Sequence, residues 1–260
     1  MALIKCDFYS EVLNLSTSMT VILPQNTSTQ IGMENKQRGD KHQTLYLLHG
    51  FSDDDTIWSR RTSIERYVAP LGVAVIMPQV HHSFYTDMEY GGRFWTFLTE
   101  ELPAVAQSFF HLSDKKEDNF VAGLSMGGYG AFKWALRHPE KFAAAASLSG
   151  VTDIVTSVNN KAMGPVQTAF KLIFGDQNIE GSEHDLISLI KQADKNEVVK
   201  PLLYQCCGTE DFLFEENMKF KEICEGTTYQ LTTDFSPGEH EWGYWDAKIQ
   251  EVLNWLPIKK

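Results

Sequence analysis

Five residues, Gly123-Leu124-Ser125-Met126-Gly127, carry the strongest chemical signal in this chain of 260 residues. They stand between an apolar run at 119–122 and a helical run at 126–138. A Gly-x-Ser-x-Gly pattern where a strand gives way to a helix makes a nucleophile elbow, a sharp turn that pushes the serine hydroxyl out at its tip. Such a serine is expected to hold a strained, positive φ. Gly123 and Gly127 then crowd together and must lack side chains. The turn also sits at a helix N-terminus, where free N–H groups and the dipole favour developing negative charge. A glycine-rich turn without chemistry is the plain alternative, so the test is whether the chain supplies partners for Ser125.

A serine alkoxide is inaccessible at neutral pH, so a base must take the proton as attack occurs. The chain has eight histidines. His42 precedes the first apolar core run, His111 and His138 follow helices, and His184 lies in the insertion at 151–200. Only His240 sits in a loop after the last strand pattern, framed by Pro237 and Gly238. A third group must orient the base and stabilise its charged form. Asp211 suits this as a short carboxylate just past a strand tip, with Glu210 the rival in the same loop and Asp234 a weaker one. The oxyanion needs two backbone donors: the N–H of Met126, and one from the loop after 44–48, for which Phe51 is the candidate. Each such donor is typically worth roughly 3 kcal/mol at the transition state. The order Ser, Asp, His is that of the α/β-hydrolase arrangement.

Positioning these groups requires strand tips. Residues 3–23 alternate and read as an antiparallel opening pair, and 25–43 as a polar loop or hairpin tip. Runs 44–48, 73–77 and 119–122 are continuously apolar, the mark of strands buried on both faces. Further strands are expected at 142–148, 202–207 and 228–232. Helical spacing appears through Ile57, Trp58, Ile64 and Val68, then through Trp95, Leu98, Leu102 and Val105 or Ala106. In the helix after Ser125, Lys133 and Arg137 stand at i and i+4, so one narrow stripe is expected to meet water. Helices also fit 215–225 and the stretch closing at Trp255. Strands alternating with helices give a mostly parallel sheet. Its working loops lie at the carboxyl ends of the strands. Residues 151–200 hold Gly164-Pro165, an apolar helix at 166–174 and a second with Leu186, Ile187 and Ile190 on one face. They read as a helical, lid-like insertion in a single domain spanning 1–260.

The bulk composition excludes several classes. A net charge of −11 argues against nucleic acid or an anionic membrane as partner. Residues 1–15 carry Lys5, Asp7 and Glu11 and no apolar stretch of signal-peptide length, and no segment approaches a membrane-spanning length without charge. Cys6, Cys206, Cys207 and Cys224 read as buried or half-buried thiols in a reducing, cytoplasmic setting. Asp53, Asp54 and Asp55 are read as a solvated loop and helix cap, because consecutive carboxylates do not converge on one ion. His81-His82 reads as surface or pocket lining. Neither group calls for a metal, and no cofactor is called for.

A wider set of motifs resembles a known family. Leu47-Leu-His-Gly-Phe51, Trp58 with Arg61-Thr-Ser-Ile-Glu-Arg66, Tyr85-Thr-Asp-Met88, Glu100-Glu-Leu-Pro103, Gly123 to Gly130, Cys207-Gly-Thr-Glu-Asp211 and Gly238-Glu-His240-Glu-Trp242 are similar to the tributyrin esterases of Gram-positive bacteria. These belong to the esterase D / S-formylglutathione hydrolase branch of the α/β hydrolases. The resemblance runs from about residue 3 to 256. It implies a serine carboxylesterase for short-chain acyl esters, with Ser125, Asp211 and His240 as the triad. The expected partner is a small acyl ester, and a homo-oligomer is left open. A thioesterase of the S-formylglutathione hydrolase type and an acetyl or feruloyl carbohydrate de-acylase are the enzymatic alternatives. A non-catalytic hydrolase-like binding scaffold is the alternative of another class.

Overall fold

Alternation within the strands decides the layering. In β3 (Thr44–Leu48), Leu45 and Leu47 face one side, Tyr46 and Leu48 the other, and all are buried. A strand covered on both faces needs helices on both sides. The computed structural model describes residues 1–36, 39–160, 165–195 and 199–259. There, β3 lies within one eight-stranded sheet of order β1-β2-β4-β3-β5-β6-β7-β8. The remaining strands are β1 (Ala2–Ser10), β2 (Leu15–Leu23), β4 (Ala74–Pro78), β5 (Asn119–Leu124), β6 (Ala144–Leu148), β7 (Leu202–Gly208) and β8 (Leu231–Ser236). β1 and β2 are antiparallel to their neighbours, and every pair from β4 to β8 is parallel. Because β2 pairs with β4, the segment after β2 is a connection and not a hairpin tip. The last strand begins at Leu231, three residues later than the pattern suggested, and runs on to Ser236.

One face of the sheet carries α1 (Ile57–Arg61), α2 (Ile64–Val68) and α10 (Trp242–Trp255), packed with Leu45, Leu47 and Ala122. The helix expected across Ile57 to Val68 is two pieces, since Thr62 is extended and its hydroxyl takes the Trp58 carbonyl at 2.6 Å. The other face carries α3 (Phe94–Thr96), α4 (Leu102–Phe109), α5 (Met126–Arg137) and α9 (Phe214–Glu225). A π-helical turn, Phe97–Glu101, joins α3 to α4. Pro103 explains it: lacking an N–H, proline cannot bond the carbonyl four residues back and crowds it. That carbonyl, on Thr99, instead accepts from Lys141 Nζ at 2.8 Å. Between β6 and β7 lie α6 (Ile154–Asn159), α7 (Pro165–Phe174) and α8 (Leu186–Ala193). Gly164 of the Gly164-Pro165 break lies outside the described residues.

Two charged groups depart from expectation. Asp55 is 3% exposed and does not cap a solvated loop. Its carboxylate accepts from Lys5 Nζ at 2.8 Å, Ser18 Oγ at 3.0 Å and Thr20 Oγ1 at 2.7 Å, tying the 52–56 loop to β1 and β2. Asp54 makes a local turn, its carboxylate accepting from the Thr56 N–H at 2.8 Å. Asp55→Ala leaves the buried Thr20 hydroxyl without its acceptor. A loss of about 2 kcal/mol follows. A thermal melt should read that as a fall of roughly 4–8 °C.

Lys133 is the second departure. It is 0% exposed, so the α5 stripe does not meet water at this position. Its Nζ donates to the Tyr85 carbonyl at 3.1 Å and Thr86 Oγ1 at 2.8 Å, and lies 4.6 Å from the centre of the Trp95 ring. Burial pushes its pKa well below the ordinary lysine value. Arg137, one turn on, is half-buried, pairs with Glu183 at 2.7 Å and also stacks over Trp95.

Candidate active site

The elbow forms for steric reasons the sequence already carries. Ser125 has φ 52° and ψ −116°, the strained turn expected of it. A β-carbon on Gly123 would lie 2.4 Å from the Gly127 backbone, and one on Gly127 would lie 2.5 Å from the Leu48 carbonyl oxygen. Only glycine lets β5 fold back against α5 and lets α5 sit against the end of β3. The Ser125 N–H donates to Leu148 O at 2.9 Å, and its carbonyl accepts from the Tyr129 N–H at 3.1 Å. The side chain is left to project from the tip.

His240, in the loop between β8 and α10, meets that side chain. The two are linked by a hydrogen bond of 3.1 Å between Ser125 Oγ and His240 Nε2. On the other side of the ring, Nδ1 is 2.8 Å from Asp211 Oδ2. A proton on Nδ1 donated to the carboxylate leaves Nε2 as the acceptor for the serine hydroxyl. The Asp211 side chain is 0% exposed. Burial pushes its carboxyl up, but His240, the Leu213 N–H at 2.9 Å and Ser149 together hold it below the usual carboxylate range. The three groups from the ends of β5, β7 and β8 thus form one hydrogen-bonded line.

The rival carboxylates are occupied elsewhere. Glu210 is exposed and accepts from the Gly238 N–H at 2.6 Å and Thr209 Oγ1 at 2.8 Å, so it braces the loop that carries His240. Asp234 lies within β8 and pairs with Lys248 Nζ at 2.7 Å.

The loop after β3 reaches the same point. Gly50 is a close neighbour of Ser125: a β-carbon there would sit 3.8 Å from Ser125 Cβ. His49 is fully buried, and burial pushes its pKa down to about 4, so it is neutral. Its Nδ1–H donates to Gly50 O at 2.7 Å, and its Nε2 accepts from the Val80 N–H at 3.2 Å. The peptide between Gly50 and Phe51 is therefore clamped, and its N–H points opposite to that carbonyl. Met126 is the first residue of α5, where no helical carbonyl can reach its N–H. His82 is exposed and stacks on Phe51 with ring centres 4.2 Å apart, whereas exposed His81 packs edge-on against Phe94.

Ser125 and His240 open into a cavity of about 420 Å³. Phe51, Phe84, Val151 and Val166 give it an apolar wall, and Phe212 and Trp242 are among its aromatic residues. With His240, the ionisable groups among its described lining residues are Asp53 and Glu241. Asp53 is half-buried, and that burial pushes its carboxyl up. Among the described residues, no group of three or more His, Cys, Asp or Glu side chains could hold a metal ion. No described helix is long and apolar enough to cross a membrane.

Several site residues escaped the sequence reading. Trp245 stands edge-on to His240 at 4.8 Å and donates from Nε1 to Ser149 Oγ at 3.2 Å. Phe212, 69% exposed, tilts against the same imidazole with ring centres 4.5 Å apart. In sequence each is one more aromatic beside an apolar run. Phe212 did have a signal, since it directly follows the candidate acid in a strand-tip loop.

The chain matches the Esterase family model, described as "Putative esterase", over residues 10–256. It is 34% identical to the fluorophosphonate-binding serine hydrolase FphF of Staphylococcus aureus, with a TM-score of 0.89 and coverage of 100% of this chain and 99% of that one. It is 34% identical to the S-formylglutathione hydrolase FrmB of Staphylococcus aureus, with a TM-score of 0.85 and 98% of each chain covered. An acetyl esterase of Caldicellulosiruptor saccharolyticus is 28% identical over 98% of each sequence. Together with the parallel sheet and its elbow, these matches put the chain in the esterase family, as a serine ester hydrolase of α/β-hydrolase fold in the esterase D-like branch.

Proposed function

We propose that the protein hydrolyses short-chain acyl esters through an acyl-enzyme on Ser125, with His240 as base and acid and Asp211 as its orienting carboxylate. The observation that carries this is the double contact of His240, 3.1 Å to Ser125 Oγ and 2.8 Å to Asp211. Ser125 Oγ attacks the ester carbonyl as its proton passes to His240 Nε2. The imidazolium is stabilised by the Asp211 carboxylate. The carbonyl oxygen, now an oxyanion, takes the backbone N–H groups of Phe51 and Met126. Collapse breaks the ester C–O bond, and His240 returns the proton to the departing alcohol. Water then attacks the acyl-enzyme, losing its proton to His240, and the acid leaves as Ser125 regains its hydrogen. No cofactor enters these steps.

The cavity supports a small acyl group and a neutral leaving group. Its lining has carboxylates at Asp53 and Glu241 but no lysine or arginine among the described residues. An anionic thiol such as glutathione meets like charge there. Neutral alcohol hydroxyls can donate to those carboxylates, and Trp242 and Phe212 offer flat apolar faces to a sugar ring. That combination favours a de-acylase of carbohydrate esters as the second reading. Residues 151–200 act as the lid-like part of the domain, supplying Val151 and Val166 to the cavity. Four free cysteines support residence in the reducing cytoplasm.

A substrate panel tests this. kcat/KM for p-nitrophenyl acetate and butyrate should exceed that for the octanoate by about tenfold or more, a few methylenes' worth of misfit. An acetylated sugar should likewise exceed S-formylglutathione by about tenfold, which is about 1.4 kcal/mol of discrimination. S-formylglutathione as the best substrate would replace this reading with the thioesterase one. No turnover at all would leave the binding scaffold.

A further inference from the structure

The loop that offers Phe51 is held with unusual thoroughness. Three successive carbonyls leaving β3 each accept from a side chain: Leu48 O from Trp58 Nε1 at 3.1 Å, His49 O from the Tyr85 hydroxyl at 2.9 Å, and Gly50 O from His49 Nδ1 at 2.7 Å. Two of these donors lie on or beside that loop in sequence. Tyr85 does not: it belongs to the connection after β4, and it is 0% exposed.

Tyr85 is itself strained into place. Phe84 and Tyr85 both adopt positive φ, 48° and 51°. Consecutive non-glycine residues in that region persist only when their surroundings over-determine them. The over-determining contacts come from α5. Gly130 leaves room for the Tyr85 ring, since a β-carbon there would lie 2.5 Å from it. One turn on, Lys133 donates to the Tyr85 carbonyl and to Thr86 Oγ1, and Thr86 Oγ1 in turn donates to Phe84 O at 2.9 Å. The same helix begins at the nucleophile. Ser125 and the Phe51 N–H thus lie on separate segments that share one rigid reference, with Tyr85 as the link.

We propose that Tyr85 is a positioning residue for the oxyanion-binding loop, and that the buried Lys133 anchors it, so that α5 sets both the nucleophile and the distance to its oxyanion donor. This rests on the reading of the Phe51 N–H as that donor. The Tyr85 hydroxyl does not touch substrate; it fixes the peptide before the one that does. A misplacement well under an ångström at such a donor is expensive, because the oxyanion contact is strong only in the transition state.

Tyr85→Phe removes one oxygen and keeps the ring in its Gly130 recess. With p-nitrophenyl acetate, kcat should fall about tenfold while KM stays within about twofold, a fraction of the loss on deleting a whole oxyanion donor. Phosphonylation of Ser125 by a fluorophosphonate, which builds an oxyanion-like centre, should slow by the same factor. Lys133→Met should fall in the same direction, and the Tyr85→Phe/Lys133→Met pair should lose no more than the worse single variant. A Tyr85→Phe enzyme with wild-type kcat, or one whose loss lies wholly in KM, overturns the proposal. Losses that multiply in the pair overturn the role given to Lys133. Wild-type protein that turns over nothing sinks the esterase reading itself, an outcome visible before any variant is made.

Discussion

Ser125→Ala is expected to lose roughly 10⁵–10⁶-fold in kcat on p-nitrophenyl butyrate, the scale on which a hydroxyl nucleophile that acts with its base as a unit is lost. The variant should also take no fluorophosphonate label, whereas the wild type should gain one adduct, on Ser125. The fold should survive. The serine's backbone contacts to Leu148 and Tyr129 do not involve its side chain. The hydrogen bond lost is the one to His240, which keeps its bond to Asp211. The strain at φ 52° is a property of the backbone, forced by Gly123 and Gly127, and alanine carries it as serine does. A thermal midpoint close to wild type with activity gone separates chemistry from stability. Turnover above about one per cent of wild type would show that Ser125 is not the nucleophile.

The site was legible in the sequence to the extent that it depends on backbone constraints. Gly-x-Ser-x-Gly between an apolar run and a helix leaves one arrangement, because any β-carbon at Gly123 or Gly127 collides with backbone. The buried strand at 44–48 announced itself by being apolar throughout, since a parallel sheet is covered on both faces. The order of Ser125, Asp211 and His240 followed from which loops end parallel strands. What stayed hidden depends on partners distant in sequence. Nothing local marks Asp55 as buried, because Lys5, Ser18 and Thr20 reach it from strands more than thirty residues away. Lys133 misled for the same reason. A lysine at i and an arginine at i+4 look like a wet stripe until the carbonyl of Tyr85 and the ring of Trp95 are brought over it. The late start of β8 is a register effect: Leu203 pairs with Leu231, so sheet pairing and not the local β-propensity of 228–230 sets the boundary.

The acid tells the two carboxylates of one loop apart by large margins. Asp211→Asn should lower kcat by about 10⁴-fold, since an amide can no longer hold His240 in the tautomer that leaves Nε2 free to accept the serine proton. Glu210→Gln should lower it by less than about tenfold, because Glu210 bonds the Gly238 N–H and does not reach the imidazole. The pH dependence sharpens the distinction. The Asp211 carboxyl is held below the usual carboxylate range in the folded protein, so its contribution to stability is in place above the unfolded-state value near 4. That contribution is lost only as the pH falls through the lower, folded value. The acid therefore stays ionised across pH 5–8, and any inflection in kcat/KM over that interval must come from another group. In Asp211→Asn the acid-side fall in stability should become shallower, measured as the midpoint of urea unfolding at pH 3 against pH 7. Reversal of the two activities, with Glu210→Gln losing the larger factor, would move the orienting role to Glu210 and require the loop at 208–211 to turn by one residue. The contact of 2.8 Å between Asp211 Oδ2 and His240 Nδ1 argues against that rearrangement.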